Sequence, residues 1–166
     1  MSRYMMKLFS FLFLALITIQ SAYAEILNGR VVGVADGDTI TVLDNTKTQH
    51  KIRLDGIDAP EKKQAFGNFS KKSLSDLVFN KDVEVDWKKV DRYGRKVGKV
   101  IIDDVDVNLE QIKRGLAWFY KKYQGELAQS DRVAYANAER EAEANQVGLW
   151  IDKDPIPPWE FRKQPN

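Results

Sequence analysis

Thr39-Ile40-Thr41-Val42-Leu43, then Asp44-Asn45-Thr46, then Gln49 to Leu54, reads as strand, turn and strand. In the third piece Ile52 and Leu54 face one way and Lys51 and Arg53 the other, the alternation of a half-buried strand. Upstream, Ile26 to Val34 is rich in branched residues and joins this pair through the turn signal Asp36-Gly37-Asp38. Downstream, the pattern changes to a helix over about Phe66 to Phe79, with Phe66, Phe69, Leu74, Leu77 and Val78 close to one face. Asp82 to Trp87 alternates again, with Val83, Val85 and Trp87 inward. After a turn at Tyr93-Gly94, Lys96 to Ile102 forms a fifth strand. Asn108 is expected to cap the next helix, with Gln111 as its capping-box partner and a stop at Gly115. A last, alanine-rich helix spans about Leu127 to Gln146 and ends at Gly148. Five short strands with one helix between the third and fourth predict an α+β fold, a five-stranded oligonucleotide-binding barrel (OB fold) with three α-helices.

The 166 residues are 43% hydrophobic and 30% charged, which suits one globular domain and argues against wholesale disorder. The sequence has no cysteine and a single histidine, His50. Disulfides, thiolate metal sites, a cysteine nucleophile and a two-histidine catalytic pair are thereby excluded. His50, beside Lys51 on a strand, reads as an exposed residue without a partner cluster. Hydrolytic chemistry must rest on carboxylates, arginines, lysines, tyrosines or hydroxyls, with any metal held by oxygen.

Residues 1–24 differ from the rest. Arg3 and Lys7 precede an apolar run from Leu8 to Ile19, and Ala22-Tyr23-Ala24 supplies the small residues of a cleavage site. This is the layout of a secretory signal peptide, and the apolar run is too short for a membrane span. The expected organisation is a signal peptide over 1–24, a domain over 25–153 and a proline-rich tail over 154–166. The tail begins Asp154-Pro155-Ile156-Pro157-Pro158-Trp159 and is expected to be extended, with Trp159 and Phe161 pinning it to the body. Loss of Arg3 and Lys7 leaves 24 basic and 24 acidic residues, so net charge gives no case for binding a polyanion. The distribution does: Lys62 to Lys72 and Lys88 to Lys99 are basic, whereas Asp103 to Glu110 is acidic. Such runs equally describe a solvated surface.

Three clusters carry candidate chemistry. Asp36-Gly37-Asp38-Thr39 is either a plain hairpin turn or a turn that presents an acid. Arg53-Leu54-Asp55-Gly56-Ile57-Asp58-Ala59-Pro60-Glu61 holds more charge than a bend requires. Asp91-Arg92-Tyr93-Gly94-Arg95 is a turn flanked by arginines. Asp38 and Asp58 can bind a hard cation, calcium or magnesium, with Glu61 near the same ion. Arg53 and Arg95 can grip a phosphate bidentately. Together they read as metal-assisted phosphodiester hydrolysis, with a carboxylate positioning or deprotonating the attacking water.

In order and spacing these motifs, with Gly115-Leu116-Ala117 and Gly148-Leu149-Trp150, resemble the staphylococcal nuclease (thermonuclease) family from about Val31 to Trp150. The resemblance implies a calcium-dependent nuclease that cleaves DNA and RNA at the 5′ P–O bond and leaves 3′-phosphates. It implies Asp38, Asp58 and the Ala59 carbonyl as calcium ligands and Arg53, Glu61 and Arg95 as the catalytic set. It places Arg92 and Tyr93 on a terminal phosphate, and Tyr120 and Tyr123 near the nucleotide-stacking tyrosines. The family's founding member carries threonine at the position of Ala59 and lysine at that of Arg92, and its loop after Glu61 is longer.

The expectation is therefore an exported, periplasmic or extracellular nuclease that prefers single strands. It should be monomeric, with no stable membrane association once the signal is removed. The rivals are a non-catalytic module that binds single-stranded nucleic acid and a phosphodiesterase for a small nucleotide.

Overall fold

The computed structural model describes residues 25–164, so the expected signal peptide lies outside the described residues. Strand β1 (Glu25–Val34) pairs antiparallel with β2 (Thr39–Asp44), and β2 with β3 (Gln49–Leu54). Two residues, Ile57–Asp58, form β4 before helix α1 (Gly67–Val78). Strands β5 (Asp82–Val90) and β6 (Lys96–Ile102) follow, and β5 pairs with β1 and β6. The ring closes where β3 runs parallel to β6, with Arg53 opposite Val97, giving a five-stranded mixed barrel. The α+β barrel read from the sequence is the architecture observed.

The strand alternation is what fills the barrel. Val31, Ile40, Val42, Ile52, Leu54, Val83, Val85 and Val100 are buried along it, while Lys51 and Glu84 stay outside. Leu74 and Val78 of α1 add to the same core, but Phe69, expected on that face, is 68% exposed. Trp87, expected inward, is only half-buried and carries the Lys96 ammonium over its ring.

A short strand β7 (Val105–Asp106) leads into α2 (Val107–Lys113), and here the capping expectation is corrected. Asp106, not Asn108, caps the helix, its carboxylate accepting from the Leu109 N–H at 2.9 Å. Asn108 lies inside the first turn, buried, and ties the helix to β6 by accepting from the Val100 N–H at 3.1 Å. Gln111 is buried too and reaches across the molecule instead of back to a cap.

Strand β8 (Trp118–Phe119) pairs with β4, bringing Asp58 opposite Trp118. A 3₁₀ stretch (Lys121–Glu126) and helix α3 (Gln129–Ala144) follow, with Tyr135 of α3 buried edge-on to Phe119. Beyond a second 3₁₀ stretch (Gly148–Ile151), the tail is not wholly extended. A one-turn helix, α4 (Pro158–Phe161), forms because proline is tolerated at the first helical position, where its missing N–H is not needed. His50 also differs from expectation: it is half-buried and shares a hydrogen bond with Asp44 at 2.8 Å. Among the described residues no helix is long and apolar enough to cross a membrane.

Candidate active site

The turn between β1 and β2 is built to hold one acid still. Asp36 accepts the Asp38 N–H at 3.1 Å, and the Ala35 N–H donates to the Thr39 carbonyl at 2.9 Å. Gly37 sits against α1 so closely that a Cβ there would fall 1.8 Å from Ser70 Oγ and 2.8 Å from Ala59 Cβ. From the other side the Gln111 amide donates to the Gly37 carbonyl at 2.8 Å. Asp38 is thus presented, buried, at the barrel rim. One of its carboxylate oxygens accepts the Thr39 hydroxyl, and the other accepts the Ala59 N–H at 2.7 Å. The first acid therefore organises the bend that carries the second.

Asp58 is 2% exposed, fixed by the β4–β8 pairing. Arg53, on β3 at the closing seam, spans the two acids. Its Nη2 lies 3.0 Å from Asp58 Oδ1 and 3.2 Å from Asp38 Oδ2, and its Nη1 donates to the Leu54 carbonyl at 2.7 Å. Burial raises the Asp58 carboxyl above its ordinary value, against the pull of Arg162 and Arg53. Burial, then the charge of Asp38, likewise pushes the Asp36 carboxyl up. Glu61 follows Pro60 at the edge, half-exposed, its N–H held by the Gln64 side chain at 3.0 Å.

Arg95 approaches from the β5–β6 turn. Asp91 accepts the N–H groups of Tyr93 and Arg95 at 2.9 and 3.0 Å while gripping the Arg95 guanidinium at 2.8 Å. Tyr93 stands 69% exposed between the guanidinium groups of Arg92 and Arg95, each about 5 Å from its ring centre. On the far wall Tyr120 and Tyr123 meet edge to face, ring centres 5.0 Å apart. Lys121, next to Tyr120, pairs with Glu139.

All ten candidate residues line one cleft of about 400 Å³: Asp38, Arg53, Asp58, Ala59, Glu61, Arg92, Tyr93, Arg95, Tyr120 and Tyr123. Of the cleft's other members, Asp36 and Arg162 bear most directly on the acids. Asp36 was read as part of a turn and not as a wall of the cleft. Arg162 lies more than a hundred residues from its partners, and only the tail's Trp159 anchor hinted that the tail comes near. Its Nη2 lies 2.7 Å from Asp58 Oδ2 and its Nη1 2.6 Å from Glu61 Oε1. Trp159, one helical turn earlier, stacks on Tyr120 at 5.2 Å and 11°.

The donor set suits a hard divalent cation. Asp38 and Asp58 are buried carboxylates close enough to share Arg53 Nη2, and among the described residues no sulfur or imidazole lines the cleft. Among the described residues no group of three or more acids or histidines closes on a single centre. An ion there would rest on two carboxylates, a main-chain oxygen such as that of Ala59, and water.

Residues 51–152 match the family model described as staphylococcal nuclease homologue. A protein named as an uncharacterized endonuclease of Haemophilus influenzae is 44% identical over 152 residues, covering 91% of this chain and 82% of that protein. Protein ParB of Escherichia coli is 39% identical, covering 91% of this chain and 87% of its own length. A micrococcal nuclease of Shigella flexneri is 38% identical over 157 residues, covering 89% of this chain and 87% of that protein.

Proposed function

The chain belongs to the staphylococcal nuclease family and is a nuclease, and from that premise we propose a calcium-dependent enzyme that hydrolyses DNA and RNA, preferring single strands. Its products are 3′-phosphates, released by cleavage of the 5′ P–O bond. It acts after export, in the periplasm or the medium, as a monomer without lasting membrane attachment. The observation that carries this reading is the convergence of two buried acids and the arginines Arg53 and Arg95 at one cleft rimmed by tyrosines.

Asp38, Asp58 and the Ala59 carbonyl would hold the calcium ion, which when bound would supply positive charge to offset that of the scissile phosphate. Arg53 and Arg95 each offer a planar pair of N–H donors to phosphate oxygens, whose negative charge grows as phosphorus becomes pentacovalent. Glu61, half-exposed at the rim, accepts a proton from the attacking water or holds that water in line. The 5′ oxygen leaves with the bonding electron pair and takes up a proton. Arg92 and Tyr93 bind a neighbouring phosphate, while Tyr120 and Tyr123 offer ring faces to bases, which single strands expose.

The test is a nuclease assay on denatured DNA with calcium, with magnesium alone, and with calcium plus chelator, with Glu61→Gln alongside as a contamination control. Calcium-dependent release of 3′-phosphate fragments, absent in the variant, is the expected result. Salt-sensitive strand binding without product in any metal overturns it in favour of a binding module.

A further inference from the structure

The C-terminal tail enters the cleft with two side chains of unlike chemistry, each lying on a group that the nuclease reading reserves for something else. The Arg162 guanidinium grips Asp58 in a fork, Nη2 to Oδ2 at 2.7 Å and Nη1 to Oδ1 at 3.3 Å, and touches Glu61 at 2.6 Å. With Arg53 Nη2 also on Oδ1, both oxygens of Asp58 are occupied by cationic donors. Trp159 lies nearly parallel to Tyr120, as a stacked base would. The tail is held further back as well: Gln64, in the loop after Glu61, donates to the Ile156 carbonyl at 2.5 Å, and Pro158 is buried. Trp159 also meets Trp118 edge-on at 5.8 Å.

We propose that Trp159 and Arg162 form an internal competitor for the cleft, the indole standing in for a nucleotide base on Tyr120 and the guanidinium for the divalent cation on Asp58. The proposal rests on the nuclease reading, which supplies the cation and the strand. A divalent ion on Asp58 Oδ2, the oxygen that Arg53 leaves free, meets the Arg162 guanidinium 2.7 Å from that same oxygen, so the two compete for it. A base on the face of Tyr120 that Trp159 covers meets the indole. Both contacts come from one four-residue span of the tail, Trp159 to Arg162, so lifting either loosens the other. Cation and strand then bind cooperatively, each removing part of what opposes the other.

Calorimetric titration of calcium into the purified protein tests this, with Arg162→Gln and Trp159→Ala alongside. If the tail is seated in about nine molecules of ten, Arg162→Gln binds calcium about tenfold more tightly than the native chain. Trp159→Ala must also tighten calcium binding, by about threefold on the same logic, although it leaves every charge in place. That second result separates displacement of the tail from mere loss of a positive charge beside the ion. In parallel, calcium changes the native tryptophan emission, and Trp159→Phe abolishes that change. Native calcium binding with an unaltered affinity in Trp159→Ala overturns the competitor and leaves the nuclease reading standing. Absence of calcium binding in all three proteins overturns both.

Discussion

Gln111 is the residue on which the acid-bearing turn leans, and its removal has a calculable cost. In Gln111→Leu the side chain keeps its bulk but loses the amide that donates to Gly37 O at 2.8 Å and Ser70 O at 3.1 Å. Ser70 lies within α1, where its carbonyl retains the helical ladder, so it loses a second bond only. Gly37 O faces the larger loss, about 1–3 kcal/mol for a buried carbonyl left unpaired. Against this, Gln111 Oε1 is itself buried with no partner, and leucine removes that burden. The balance is a destabilisation of about 1 kcal/mol. Urea unfolding followed by far-UV circular dichroism reads it as a midpoint lowered by about 0.5 M, with the slope unchanged. Calcium affinity must fall with it, because Gly37 precedes Asp38 in the same turn. A variant as stable as the native chain, with unaltered calcium affinity, refutes the claim that this amide anchors the turn.

Glu61→Gln lowers turnover by orders of magnitude with the melting temperature unchanged, because the side chain is at the rim; a well-folded variant of native activity removes Glu61 from the mechanism. Gly37→Ala drives a methyl group into Ser70 and Ala59, so it destabilises the fold by about 1–3 kcal/mol and weakens calcium binding, read by thermal unfolding and calorimetry. The Asp44 carboxylate is held below its ordinary range by the Thr46 hydroxyl, then by His50 and the Thr48 N–H. A lowered folded-state value stabilises above the unfolded value and is lost on acidification, so stability falls below about pH 4 and Asp44→Asn flattens that limb of a pH titration of unfolding.

The barrel was legible because period-two alternation survives wherever one strand face is buried. Ile52 and Leu54 against Lys51 and Arg53 settle their strand without any tertiary information. The two-residue strands were not, because Ile57–Asp58 and Trp118–Phe119 are too short to show a period and exist only by pairing with each other. Asn108 and Gln111 misled for a different reason. Their spacing satisfies a local capping rule, but burial put both amides to work on distant carbonyls and N–H groups, and Asp106 took the cap. The candidate residues were recognisable as motifs, and their meeting in one cleft follows from the fold. Arg162 belongs to no motif, and nothing local to the tail says which acids it will find.

The parallel contact between β3 and β6 has a bearing on timing. Arg53 lies on one side of that seam and Arg95 just ahead of the other, so the two meet only when that pairing closes the ring. Pieces from residues 36–61, 91–95 and 118–123 share a wall only afterwards. An unfolded or half-closed chain therefore has no catalytic centre at all. For a nuclease, closure of the ring is the moment at which the chain becomes able to cut.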